Sequence, residues 1–203
     1  MNTNILLLLA FIAFAYLSGS LTPSIWITKW LKGVDVRDSG SGHATTTNTI
    51  RQAGFGPGAL VFLLDFAKGF IPVFAASRFL PGLVWLVPVA AAAVIGHCWP
   101  IFAGFRGGMG LATAGGSLLA VYPISLLVAV VILVVLLLTV RHAARATVFT
   151  ALLVPFAFWL AGFGNEMIGL GTALALVIAV RFLSNWNRKY RELWLDREKK
   201  DPS

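Results

Sequence analysis

The chain is poor in charge, poorer still in acids, and almost without cysteine. Of its 203 residues only 12% are charged, about half the share of an ordinary soluble domain. Cys98 is the single cysteine, which excludes an internal disulfide and a Cys-rich structural zinc site. There is no Walker pattern, no dinucleotide-binding glycine fingerprint after a strand and no nucleophile elbow. What fills the chain instead is apolar: 58% of residues, with a mean hydropathy of +0.84. A single domain of this length has too little interior to hide that much apolar surface, so lipid must cover the rest. A soluble globule and a disordered chain are both excluded. The charge that remains is lopsided, with 16 Lys and Arg against 8 Asp and Glu, a net +8. On a membrane protein this balance points to the cytoplasmic face and to anionic partners, either lipid headgroups or phosphorylated substrates.

The apolar runs predict spans at about 4–28, 59–79, 83–98, 108–121, 123–141, 147–163 and 167–184. The expected fold class is therefore an all-α integral membrane protein of seven transmembrane helices, one membrane domain over 1–203. Three spans fall short of the ~20 residues a full crossing needs, and the Gly-rich 108–121 is the weakest of them. The first run carries no Lys or Arg in its opening residues and continues past Gly19 through Trp26. It reads as a retained helix, not a cleaved leader. With the N-terminus outside, seven crossings put the C-terminus in the cytoplasm. Lys29, Lys32, Arg37, Arg51, Arg106, Arg141, Arg145, Arg181 and the basic residues from Arg188 onward then share the inner face, and Arg78 stands alone outside. The stretch 32–58, rich in Gly and Thr, is expected to be a cytoplasmic loop folded closely around a ligand. The charged tail 188–203 is expected to lie on the anionic leaflet.

Four constellations carry chemistry. In Gly40-Ser41-Gly42-His43-Ala44-Thr45-Thr46-Thr47-Asn48-Thr49-Ile50-Arg51, the glycines allow an anion nest, the hydroxyls and Asn48 add neutral donors, and Arg51 adds a bidentate fork. In Gly96-His97-Cys98-Trp99-Pro100 and Phe105-Arg106-Gly107-Gly108-Met109-Gly110-Leu111-Ala112-Thr113, a glycine turn precedes a helix N-terminus, a ready anion site with Arg106 beside it. Asp65 and Lys68 share a helix face inside a span, as a self-neutralising pair or with Lys68 as a substrate contact. Arg181, Ser184, Asn185 and Arg188 close the last span, where Arg and Asn can reach a phosphate or simply anchor the helix end. His142 and Arg145 read as interfacial anchors, and no histidine–carboxylate cluster suits a metal. Phosphate-binding elements gathered beside acyl-holding spans point to lipid phosphate chemistry.

At this point the sequence resembles a known family. Ser18-Gly19-Ser20, Gly40-Ser41-Gly42, Thr47-Asn48 with Arg51, Asp65-x-x-Lys68-Gly69, and Gly96-His97 leading through Phe105-Arg106-Gly107-Gly108 to Gly110 and Ala112-Thr113 look like the PlsY family of bacterial acyl-phosphate:glycerol-3-phosphate acyltransferases. The resemblance covers about 18–116, with Arg141, Asn185 and Arg188 falling on polar family positions beyond it. It implies transfer of an acyl group from acyl phosphate to the 1-hydroxyl of sn-glycerol 3-phosphate, yielding lysophosphatidate and phosphate, the first step of phospholipid synthesis. The implied setting is the bacterial inner membrane, multi-pass, with the site facing the cytoplasm. No cofactor, metal or nucleic acid is expected. The expected partners are the two substrates, membrane lipid and the enzyme that forms acyl phosphate. Arg106, His97 and Ser41 are the expected catalytic residues. Gly40, Gly42, Thr47, Asn48, Arg51, Lys68, Gly107, Gly108, Gly110, Thr113, Asn185 and Arg188 are the expected substrate-binding residues.

The chain also departs from the family pattern. Met109 stands where the glycine turn has a lysine. His43, Thr45 and Thr46 replace Asn, Gly and Ala, and Phe182 stands where the last span has a histidine. Losing one charged contact to a transferring phosphoryl group costs about 3 kcal/mol, or two orders of magnitude in rate. Two further readings therefore stand beside the first: a catalytically impaired paralogue that binds lipid phosphate or a partner, and an acyltransferase with a different polar acceptor. The His-x4-Asp dyad of one large acyltransferase class is absent at His43 and His97.

Overall fold

The computed structural model describes residues 3–187. The tail 188–203, Arg188 included, lies outside them, so its expected surface helix is left aside. The described residues are helical, without strands. Six stretches among them are long and apolar enough to cross a membrane: Thr3–Lys32, Phe55–Phe79, Leu83–Ala103, Pro123–Val140, Ala143–Leu160 and Asn165–Leu183. A seventh apolar helix is shorter.

The first stretch is not one helix, as the single run 4–28 predicts. It is α1 (Thr3–Gly19) and α2 (Pro23–Lys32). Pro23 opens α2 because it has no N–H for the preceding turn and its ring would strike it. The break leaves backbone carbonyls near Leu21 without helical partners. Helix α2 is amphipathic. Ser24, Ile25 and Thr28 are buried, while Trp26, Lys29, Trp30 and Lys32 face out, the composition of a helix lying at a membrane surface.

The stretch 32–58 is more ordered than a loop. After a 3-10 turn at Val36–Asp38 comes α3 (Thr46–Ala53), and α4 (Phe55–Phe79) begins four residues earlier than the apolar run suggests. Thr45 starts α3 by accepting the Asn48 N–H on its Oγ1 at 3.2 Å. The remainder is α5 (Leu86–Cys98), α6 (Leu111–Val121), α7 (Pro123–Val140), α8 (Ala143–Leu160) and α9 (Asn165–Leu183). Helix α6 begins three residues later than expected because 107–110 form a turn, with Gly110 left-handed at φ 84°. Its 11 residues rise only about 16 Å, half the hydrocarbon thickness.

Small residues let the helices meet backbone to backbone, the usual membrane solution. Gly19 and Gly96 bring α1 against α5: a side chain on either would strike the other helix at Ala93 or Tyr16. Gly69 and Gly116 do the same for α4 and α6, against Thr113 and Phe66. This last contact holds the short α6 in place and so fixes where its N-terminus points. The core behind it runs through Val73, Val89, Ala93, Val94, Leu118, Phe158, Leu170 and Leu174. Helix α7 packs one face, with Leu126, Val128, Ala129 and Ile132, against the core, fully buries only Ser125, and presents its other aliphatic face to lipid.

Candidate active site

A cavity of about 400 Å³ opens at one end of the bundle. It collects alternate helix ends: the residues before α4, the end of α5, the start of α6, the end of α7, the start of α8 and the end of α9. One wall is polar, with Ser41, His43, Thr45, Thr46, Thr47, Arg51, Asp65 and His97. The other is apolar, with Phe62, Met109, Leu133, Leu137, Ala143, Ala144 and Phe182. Gly110, Leu111 and Ala112 form the floor, so the N-terminal turn of α6 faces the cavity. The first amides of that turn have no helical acceptors, and the helix dipole is positive there. An anion is therefore favoured at this point, with Arg51 as the facing cation.

The polar wall is built by Asn48. This residue is fully buried, and its Nδ2 donates to the carbonyls of Val36 (2.6 Å), Ser39 (3.1 Å) and His43 (3.1 Å). Its Oδ1 accepts the Ser41 N–H at 3.3 Å. These four bonds all go to protein backbone, so Asn48 shapes the loop that lines the cavity. Gly40, at φ 61°, gives Asn48 room, and Gly42, at φ 68°, closes a turn onto Ser39. Ser41 Oγ is left buried without a hydrogen-bond partner on the cavity wall. A buried hydroxyl in that state is expected to have an external partner.

The loop is tied to the next turn of the site by Arg37. Its guanidinium binds Asp35 at 2.7 Å and donates to the carbonyls of Ala103 (2.8 Å) and Arg106 (3.3 Å). The hydrogen-bonded guanidinium holds the Asp35 carboxyl below its ordinary range, and the same bond raises Arg37.

The glycine turn differs from its expected form. The Gly107 and Gly108 carbonyls accept from Arg181, at 3.1 and 2.8 Å, and the Gly108 N–H donates to the His97 carbonyl at 3.1 Å. Neither glycine lines the cavity, whose lining begins at the next residue, Met109. A side chain at 108 would collide with His97 Nε2 and the Ala44 carbonyl, so glycine there lets the imidazole lie against the turn. Arg106 is exposed, and it is Arg181, from α9, that grips the turn, stacked 5.8 Å from the Trp99 ring. Lys68 is buried away from the cavity, its Nζ donating to the Leu21 carbonyl at 2.7 Å and pairing with Asp65 at 2.9 Å. Thr113 is fully buried and bonds the Asp65 carbonyl at 2.9 Å. Asn185 is buried beside the cavity, its Oδ1 3.1 Å from His43 Nε2.

Ser41, Thr47, Arg51, His97 and Gly110 thus stand round one cavity, with Asn185 behind His43. Arg106, Lys68, Thr113, Gly107 and Gly108 serve or flank the frame. Motif reading passes over three features: His43 on the cavity wall, Arg181 as the clamp of the glycine turn, and Asp65 beside His97. The first two carry a signal in residue type alone, an imidazole inside a polar loop and a basic residue one turn before the helix end.

Together these features define a polytopic helical membrane protein whose cavity joins a helix N-terminus and a polar loop to an apolar wall. Comparison with known proteins narrows the class. The family model for glycerol-3-phosphate acyltransferase matches residues 9–192, and the chain belongs to that family. It is 36% identical over 187 residues to the glycerol-3-phosphate acyltransferase of Shouchella clausii, covering 89% of this chain and 91% of the relative. It is 38% identical to that of Aquifex aeolicus, covering 87% and 92%. Its fold is similar to the crystal structure of PlsY, an integral membrane glycerol 3-phosphate acyltransferase, in its glycerol 3-phosphate form. The TM-score is 0.78 at 37% identity, over 89% of this chain and 90% of the other. The lysophosphatidic acid form of PlsY gives a TM-score of 0.77 at 36% identity.

Proposed function

We propose that this protein transfers an acyl group from acyl phosphate to the 1-hydroxyl of sn-glycerol 3-phosphate, releasing lysophosphatidate and phosphate at the cytoplasmic face of a bacterial inner membrane. The observation that carries the reading is the two-sided cavity. It has an anion-binding helix terminus and Arg51 on one side, and Phe62, Leu133 and Leu137 leading to the lipid-facing α7 on the other. An acyl phosphate has that same division, a phosphate joined to an aliphatic chain.

Acyl phosphate is a mixed anhydride and already activated, so the protein's task is orientation and stabilisation of developing charge. The N-terminal amides of α6 hold the donor phosphate. Ser41, Thr47 and Arg51 hold the acceptor, with Asn185 and His43 at its edge. The acceptor oxygen attacks the carbonyl carbon beside His97, the carbonyl–phosphate bond breaks, and the departing phosphate leaves with the electron pair and itself takes the hydroxyl proton. In this reading the site faces the cytoplasm and the N-terminus lies outside. The second reading, a chain that binds both substrates but turns over slowly, draws on Met109 and Phe182, apolar residues on the cavity wall itself.

The test is donor discrimination by the purified protein in detergent micelles. Labelled glycerol 3-phosphate is offered with palmitoyl phosphate or with palmitoyl thioester. Labelled lysophosphatidate from the phosphate donor alone supports the proposal. Equal use of the thioester, or labelling of a different acceptor in a competition mixture, would overturn it.

A further inference from the structure

The bundle holds a second, smaller apolar cluster apart from its main core. Ile25 of α2, Val36 of the first 3-10 turn and Ala44 of the polar loop are buried together, and Ala103 of another 3-10 turn (Ile101–Ala103) packs against them. Ala44 lies between His43 and Thr45, which both line the cavity. The Val36 carbonyl accepts from Asn48 Nδ2 and Gln52 Nε2, at 2.6 and 2.8 Å. The buried side of α2 is thus packed directly on the segment that forms the polar wall. The outer side of the same unit is aromatic and basic. Trp26, Lys29 and Trp30 stand at i, i+3 and i+4 on one face of α2, all exposed, Trp30 at 84%. Lys32, Phe102, Phe105 and Arg106 are exposed on the neighbouring segments. Against Lys29, Lys32 and Arg106 the unit exposes a single acid among the described residues, Asp38. Its place is a lipid boundary. Only Ser20, Leu21 and Thr22 separate α2 from α1, and a helix that leaves the hydrocarbon at Gly19 delivers the next one among the headgroups. The break is pinned to the bundle by Lys68 Nζ on the Leu21 carbonyl at 2.7 Å and by the Ile101 N–H on Ser20 Oγ at 3.4 Å. Indole rings favour the headgroup level, and lysines reach from there to anionic phosphates.

We propose that the outer face of α2 binds the headgroups of anionic phospholipid in the surrounding leaflet, and that this contact orders the cavity loop 39–45. The force passes from Lys29 and Lys32 through the helix to Ile25, and from Ile25 to Val36 and Ala44. Headgroup charge then sets how much of the protein has its polar wall in place. The order of the loop is read directly, so the proposal stands or falls apart from the reaction reading.

The test places the protein in lipid nanodiscs of phosphatidylcholine alone or mixed equally with phosphatidylglycerol. Hydrogen exchange is read by mass spectrometry over α2 and over 39–45. A Lys or Arg at an anionic surface is worth about fivefold in binding. Protection of both segments should therefore be about 5- to 30-fold higher with phosphatidylglycerol. The difference should shrink below about twofold in Lys29→Gln/Lys32→Gln and in high salt. In Ile25→Ala, α2 should keep its response to phosphatidylglycerol while 39–45 loses it. Equal loop protection in the two lipids would overturn the proposal. So would a response that survives the double lysine variant, which would belong to cations elsewhere in the chain. A loop that still responds in Ile25→Ala would overturn the coupling through the small cluster. Poly-glutamate added to phosphatidylcholine discs is the contrast: protection as large as that from phosphatidylglycerol would make an acidic protein the occupant and overturn the assignment to lipid. Should Ile25→Ala fail to fold, the lysine variant decides, because its substitutions lie on exposed positions.

Discussion

Asn48 is where the account can be pressed hardest, because its residue type suggests a substrate ligand and its geometry a scaffold. Replacing it with alanine removes four hydrogen bonds, three to the carbonyls of Val36, Ser39 and His43 and one from the Ser41 N–H. All three carbonyls keep another bond, Val36 from Gln52 Nε2 at 2.8 Å, Ser39 from the Gly42 N–H at 3.2 Å and His43 from the Thr45 N–H at 3.0 Å, so the Ser41 N–H alone loses its partner. The unpaired N–H together with the three lost side-chain bonds destabilises the loop by about 3 kcal/mol, or roughly 100-fold in the ratio of ordered to open loop. The helices do not depend on it, so the loss is local. Hydrogen exchange read by mass spectrometry checks this directly. In Asn48→Ala, protection over 39–45 should fall by about two orders of magnitude, while α4, α6 and α9 keep theirs. KM for glycerol 3-phosphate should rise as the competent population shrinks, with kcat largely retained at saturation. Unchanged loop protection together with a raised KM would refute the reasoning and make Asn48 a direct substrate contact.

Other outcomes follow from the same geometry. Gly69→Ala forces a methyl onto the Thr113 backbone between α4 and α6, and should cost about 1–3 kcal/mol of stability and shift α6, seen as a lower melting temperature and slower turnover. Met109→Lys adds a cation at the cavity wall next to the α6 terminus and should raise kcat/KM by about 100-fold in the acyl-transfer assay. Arg181→Gln leaves the Gly107 and Gly108 carbonyls without their guanidinium and should loosen the turn, raising its exchange rate and lowering kcat. Asp35 is held below its ordinary range by Arg37, so its contribution to loop stability is present above about pH 4 and lost as pH falls through the depressed value. Loop protection should therefore drop in that acid window in the native protein and be low throughout in Arg37→Gln.

The apolar runs made most of the helical frame legible, since each long stretch without charge must cross lipid. What was not legible arose from local and long-range detail. Pro23 carried the signal for the break after Gly19, but the apolar run through Trp26 masked it. Helix α3 is short and polar, and only the Thr45 cap marked its start. The glycine turn was readable as a turn before a helix N-terminus but not in register: a partner 73 residues away, Arg181, takes the Gly108 carbonyl, and the cavity lining begins at Met109. Arg37 reaching Ala103, and Asp65 reaching His97, join segments that no spacing rule connects. Met109 and Phe182 were conspicuous as departures from the family pattern, and both stand on the cavity wall.

The central claim is the reaction, and the most direct measurement is product formation by the unmodified chain. The purified protein is reconstituted in a lipid mesophase with palmitoyl phosphate and labelled glycerol 3-phosphate, and lysophosphatidate and inorganic phosphate are quantified together. The account predicts equal amounts of both, acylated at the 1-position, well above a protein-free blank. Phosphate release without acylated product, or no turnover in the native chain, would contradict it.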